Sequence, residues 1–249
     1  QEAAFVDGVF YVSDYSKRKV VAVDTAGNVF EPGIEHPNLR HGICRDDAAN
    51  LILHASPDAD VPTKLIVYKP NDTTEYSIEI KLNNNGQTNF PTASGDIFSA
   101  AGGYVYFFPN KQKFVEVVKI ANGQYVSTTS CAVSLTGSTA GYVIPIDNDP
   151  NHFIYQVRAN GYHVYKNGDK GSYLTTPNGT TAPSRNNSVG GALFELNGHE
   201  MFVYMSGSHY KGGWTLRDMT SAELTPMYTQ PQLGDGGYYA NASVGAFFH

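Results

Sequence analysis

One pattern limits what this chain can fold into: a glycine followed by an apolar run recurs along its length. The instances are "GICRDD" at Gly42, "GDIFSA" at Gly95, "GYVIPI" at Gly141, "GALFEL" at Gly191 and "GAFFH" at Gly245, separated by 53, 46, 50 and 54 residues. A second and more apolar run follows each of the first four, "LILHA" 51–55, "YVYFF" 104–108, "HFIYQV" 152–157 and "MFVYM" 201–205. A third comes next, "KLIVYK" 64–69, "KFVEVVKI" 113–120, "GYHVYK" 161–166 and "GWTLRD" 213–218. A more polar fourth closes each unit, "EYSIEIKL" 75–82, "QYVSTTSCAV" 124–133, "GSYLTT" 171–176 and "ELTPMYT" 223–229. The runs are β-branched and aromatic, they are bounded by Gly, Asn, Asp and Pro, and helical periodicity is almost absent.

Four antiparallel strands repeating every ~50 residues mark a β-propeller, whose units bury their faces only against neighbouring units. The competing architectures are a β-sandwich and an open piece of a larger propeller. At the start, "VFYVS" 9–13, "KVVAVD" 19–24 and "NVF" 28–30 match second, third and fourth strands, with no first strand before them. The terminal apolar run 244–248 has first-strand character and no successors. The sequence therefore predicts an all-β, five-bladed propeller of four-stranded antiparallel blades, one domain over residues 1–249. It is expected to close by pairing of run 244–248 with 9–13, which hides both exposed edges.

Composition agrees and excludes some functions. Apolar residues make up 41%, aromatics 12% and charged residues only 16%, with 25 glycines, as expected of many strands joined by tight turns. A net charge of −6 and the lack of any basic run argue against nucleic acid, where affinity comes mostly from Lys and Arg on phosphates. No apolar stretch reaches the length of a membrane span. No charged-then-apolar leader precedes Gln1, which is read as a processed end. Cys44 and Cys131 lie far apart in apolar strand-like runs, which fits two buried free thiols.

Connections in a propeller alternate between two ends of the blades. First-to-second and third-to-fourth turns are short here, as in "DDAAN" 46–50, "AGG" 101–103 and "ANG" 121–123. The opposite end carries long segments, among them 31–41, 56–63, 83–94, 176–189, 206–212 and 230–241. Long loops on a rigid scaffold commonly carry function. These bring together polar and aromatic residues, of which Tyr15, His41, Phe90, Arg158, His209, Tyr210, Trp214 and Tyr239 are the candidate ligand-binding set. Aromatic faces beside amide, imidazole and guanidinium groups suit a sugar, which offers C–H faces and hydroxyls together.

The expected function is a non-catalytic binding module for a carbohydrate or a protein partner on the long-loop face. A glycoside hydrolase and a structural or interaction domain of a larger surface protein are the alternatives. Hydrolysis needs two carboxylates facing each other across the bond. Asp96 and Glu195 on first strands, with Asp7, Asp46 and Asp147 near strand ends, are the candidates. "DNDPN" 147–151 lacks the glycine and distal Glu of a calcium loop and reads as an Asx turn. No phosphate loop, zinc spacing or nucleophile elbow occurs, so no metal or cofactor is expected.

The chain's style, with "VDTAGN" 23–28, "AFVDGVFYVSDY" 4–15 and "ANASVGAFF" 240–248, resembles uncharacterised secreted propeller-like domains of gut Bacteroidetes. That resemblance implies a secreted, periplasmic or cell-surface location and a link to glycan capture. It brings no catalytic residues with it.

Overall fold

The computed structural model describes residues 3–14, 16–55, 63–83, 97–108, 113–133, 140–146, 148–157, 161–166, 168, 173–174, 191–206, 213–219 and 226–229. Within them every regular element is a strand, and no helix is long and apolar enough to cross a membrane. The first sheet comprises β1 (Ala3–Val6), β2 (Val9–Asp14), β3 (Lys19–Asp24) and β4 (Val29–Phe30). The second holds β5 (Leu39–Arg45), β6 (Leu51–Ala55), β7 (Thr63–Lys69) and β8 (Thr74–Ile80). The third holds β9 (Ile97–Ala101), β10 (Tyr104–Phe108), β11 (Phe114–Ala121) and β12 (Gln124–Ala132). The fourth holds β13 (Ala140–Pro145), β14 (His152–Val157), β15 (Gly161–Lys166) and β16 (Tyr173–Leu174). The fifth holds β17 (Gly191–Leu196), β18 (His199–Ser206), β19 (Gly213–Asp218) and β20 (Pro226–Thr229). Each sheet is an antiparallel meander whose strands neighbour one another in chain order.

Turn chemistry sets this hairpin-by-hairpin topology. Asp7-Gly8, Gly102-Gly103, Asn122-Gly123 and Asn197-Gly198 each place two successive residues at positive φ, 48° and 82°, 58° and 78°, 51° and 70°, and 53° and 78°. That is the backbone of the two-residue hairpin turn that matches strand twist, and Gly and Asn tolerate it best.

The sheets stack because their middle strands are apolar on both faces. Every residue of β6 is buried. On β10, Val105 and Phe107 pack with Cys44, Ile52 and Leu65 of the second sheet. The alternate residues Tyr106 and Phe108 pack with Phe153 and Tyr155 of the fourth. Ala4, Val6 and Tyr11 of the first sheet are buried against Leu39, Leu53 and Ile66 of the second. First strands lie against one another in series, β1 on β5, β5 on β9, β9 on β13 and β13 on β17. Sheets arrayed around their first strands in this way form a β-propeller arrangement.

One expectation is overturned. The first strand of the first sheet is not run 244–248: Ala3 to Val6 pair with Val12 to Val9, so β2 lies between β1 and β3. The Asp7-Gly8 turn makes that hairpin from directly upstream, and the edge assigned to the C-terminal run is filled. The run 244–248 itself lies outside the described residues. Removing residues 1–6 should accordingly cost on the order of 3 kcal/mol, since Val6 and Ala4 are each only 1% exposed. A urea midpoint unchanged by that deletion would contradict the pairing.

Candidate functional site

The two ends of the propeller treat their polar groups differently. At the short-turn end, the carboxylates belong to the turns. Asp24 accepts from Ala26 N at 2.9 Å, Asn28 N at 2.8 Å and Asn28 Nδ2 at 2.7 Å. Asp46 repeats this with Ala48 N at 3.0 Å, Asn50 N at 2.8 Å and Asn50 Nδ2 at 2.8 Å. The shared pattern, Asp-x-Ala-x-Asn, is an Asx turn locked by a side-chain amide. The Asn28 amide and then its backbone N–H hold the Asp24 carboxyl below its ordinary range. The Thr74 hydroxyl does the same for Asp72. Asp149 caps its own turn, accepting from Asn151 N at 2.9 Å, in keeping with the Asx-turn reading of "DNDPN".

These turns also grip one another. Asp47 Oδ2 accepts from Gly102 N at 2.6 Å, joining the second sheet to the third. A Cβ at Gly102 would lie 2.7 Å from the Asn148 Cβ, so the third and fourth sheets meet there too closely for a side chain.

The long-loop end is built otherwise. In β5, Leu39 opposes Ala55 and Ile43 opposes Leu53, so four steps along β5 span two along β6. The irregularity contains Arg40, His41 and Gly42. In β13, Ala140 opposes Val157 and Val143 opposes Tyr155, with Gly141 and Tyr142 between. Two axial strands, separated by β9, thus break register at the same end. Bulges leave backbone groups unpaired and re-aim a strand, and they concentrate at rims and beside active sites. The entry to β5 is fixed in place: the Arg18 guanidinium donates to the Leu39 carbonyl, and His36 N donates to the Arg18 carbonyl at 3.0 Å.

Near this end, between the second and third sheets, lies a buried carboxylate that sequence reading missed. Glu116 on β11 is 0% exposed. Its Oε1 accepts from Ser130 Oγ at 2.6 Å and its Oε2 from Asn83 N at 3.0 Å. Asn83 Nδ2 donates to the Thr128 carbonyl at 2.6 Å. Tyr125 Oη, at 3.3 Å, and Thr128 Oγ1 both donate to the Lys81 carbonyl. Residues 81–83, from which the long segment 83–94 departs, are therefore lashed to β11 and β12. His54, 2% exposed, stacks its ring edgewise on Phe107 at 5.3 Å, and Phe107 is the cross-strand partner of Glu116. Both cysteines are buried and unbridged, and burial pushes the Cys131 thiol up, away from a nucleophile's range.

Of the candidate binding residues, His41 falls within the β5 bulge and Trp214 is the second residue of β19, opposite Met205. Tyr15, Phe90, Arg158, His209, Tyr210 and Tyr239 lie outside the described residues. Of the candidate acids, Asp46 has both oxygens taken by its turn, Asp7 sits in a left-handed turn, and Glu195 is exposed opposite Glu200. Asp96 and Asp147 lie outside the described residues. Among the described residues no three His, Cys, Asp or Glu converge to hold a metal.

Substituting Glu116 by Ala leaves the Asn83 N–H and the Ser130 hydroxyl, each in a part-buried hydrogen bond, without their acceptor. The expected loss is about 2–4 kcal/mol, with a smaller loss for Glu116→Gln, which keeps one acceptor. Equal urea midpoints for the wild type and Glu116→Ala would show that the carboxylate does not anchor residues 81–83.

No family model matches the chain, and no curated protein matches it. Solved structures do. A chain of a nidogen/laminin complex is 13% identical with a TM-score of 0.54, covering 91% of this chain and 78% of that one. A protein from Lactobacillus plantarum is 13% identical with a TM-score of 0.52, covering 93% and 71%. Dihydro-heme d1 dehydrogenase NirN is 14% identical with a TM-score of 0.47, covering 95% of this chain, which spans only 47% of that one. Identities this low, at TM-scores above 0.5, show the fold and nothing finer.

Proposed function

We propose that this chain is a non-catalytic binding module whose ligand, a carbohydrate, is held at the long-loop end of the axial strands. The observation that carries this reading is the pair of register breaks in β5 and β13 at that end. They set Arg40, His41 and Tyr142 on irregular backbone of axial strands, where a broken ladder turns N–H and C=O groups toward a ligand's hydroxyls. At the opposite end the Asp24, Asp46 and Asp149 carboxylates are committed to their own turns. A secreted, periplasmic or cell-surface location goes with the resemblance to secreted Bacteroidetes domains; fractionation that finds the protein in the cytosol would reject it.

The five sheets form one domain, a five-bladed ring. Support comes from the serial contact of the first strands and from sheets that are apolar on both faces. A ring of this length has a radius of gyration of about 18 Å in small-angle scattering. A clearly larger radius means an open arc and rejects the ring.

Glycan-array screening followed by calorimetry tests the ligand. His41→Ala and Trp214→Ala should each weaken binding about tenfold or more, the loss of one good polar or aromatic contact. Asp24→Asn, at the turn end, should leave affinity unchanged. Affinity equal to wild type in both loop-end variants would sink the assignment of the site.

A further inference from the structure

Each sheet ends in an outer strand, and an outer edge that is long, straight and uncharged is a template for another strand. Most outer strands here are guarded in recognisable ways. β4 and β16 are two residues long, β20 is four and opens on Pro226, and β8 carries Glu75 and Glu79. β12 has none of these devices. It is nine residues long, the longest of the described strands, and "QYVSTTSCA" contains neither a charge nor a proline.

One bond fixes the direction of its backbone groups. Val133 N donates to the Lys113 carbonyl at 2.9 Å, and Ala132 opposes Phe114. Alternation then turns the N–H and C=O groups of Thr129 and Cys131 toward β11 and those of Thr128, Ser130 and Ala132 outward. Nearer the turn, Lys119 opposes Ser127 and Ile120 opposes Tyr125, so Val126 is a bulge that interrupts the edge. The regular edge therefore runs over residues 127–132, and a single side chain meets it. Asn83 Nδ2 donates to the Thr128 carbonyl at 2.6 Å, the place where an N–H of an added strand would donate. Asn83 is exposed, and its own N–H is held by Glu116 Oε2 at 3.0 Å.

We propose that the edge of β12 is a strand-addition surface for a second copy of this chain, and that the Asn83 amide keeps it closed. The edge is complementary to itself. A two-fold axis through Ser130 sets Thr128 opposite Ala132 of the second copy, whose N–H then falls on the carbonyl that Asn83 occupies. In a chain of net charge −6, an uncharged strand lets two copies approach without setting carboxylates against each other. A foreign peptide would have to supply a matching extended and uncharged segment, whereas a second copy always brings one. The buried Glu116 carboxylate thereby acquires a further role, since it fixes the backbone from which the capping amide reaches the edge.

Sedimentation equilibrium over rising protein concentration tests this with Asn83→Ala and Asn83→Leu. Both remove the amide and keep the backbone N–H on Glu116, and using two keeps the result readable if one misfolds, which circular dichroism reports. The variants should move toward the mass of two chains over a range in which the wild type keeps its mass. Adding Ala132→Pro removes an outward N–H without touching a bond to β11. It should raise the dissociation constant of the variant dimer about tenfold or more, because the two-fold pairing loses that bond twice. Folded variants no more associated than the wild type would overturn the proposal, and so would association that Ala132→Pro leaves unchanged.

Discussion

The alternation along β10 is the constraint from which the rest of the structure follows. Val105 and Phe107 belong to one apolar cluster and Tyr106 and Phe108 to another, and all four are at most 1% exposed. A strand with both faces apolar cannot sit at the surface of a two-layer sandwich, where one face meets water. It needs a sheet on each side, and those sheets meet the same requirement in turn. Successive sheets therefore stack through their apolar faces, with their first strands in series. Backbone edges follow the same logic, since narrow blades keep their edges short.

Turn chemistry converts that requirement into a particular path. Two-residue turns at Asp7-Gly8, Asn122-Gly123 and Asn197-Gly198 force immediate antiparallel return, so each strand pairs with its neighbour in sequence. The Asp24 and Asp46 turns reach the same result with three residues between Asp and Asn, spending a carboxylate and an amide on the turn. Gly27 and Ala49 occupy equivalent left-handed positions, at φ 87° and 60°. Glycine takes this backbone freely and alanine at some cost, which the Asp46 hydrogen bonds offset.

Much of this was legible in the sequence because burial on both faces writes continuous apolar runs. "LILHA", "YVYFF" and "HFIYQV" read as inner strands, and the glycine-led runs at Gly42, Gly95, Gly141 and Gly191 marked the first strands of the second to fifth sheets. The first sheet was misread because Ala3 to Val6 is a short strand of weak composition, while run 244–248 has stronger β character; the Asp7-Gly8 pair was the signal that should have decided it. Glu116 was missed for a related reason. In "KFVEVVKI" a single Glu looks like the polar phase of an alternating strand, yet its neighbours on both faces are buried. A charge inside a run buried on both faces has no route to solvent, and that inconsistency alone points to an internal partner. The bulges left no mark in the sequence beyond Gly42 and Gly141, since glycines inside strand patterns serve many purposes.

The distribution of polar groups gives the molecule its direction. At the turn end, the hydrogen bonds that Asp24, Asp46 and Asp149 accept stay within a turn, and the one that Asp47 accepts ties one sheet to the next. Such groups stiffen the scaffold and are thereby withdrawn from recognition. Toward the loop end, the corresponding effort goes into anchoring the points where long segments leave: Arg18 on the Leu39 carbonyl, Glu116 on the Asn83 amide. A buried carboxylate is a costly anchor, because its desolvation must be recovered from its hydrogen bonds. That cost is unnecessary for a sheet already held by apolar contact on both faces. It makes physical sense where a long segment must leave from a fixed point, and Glu116 and the β5 and β13 register breaks all lie toward the end from which the long segments depart.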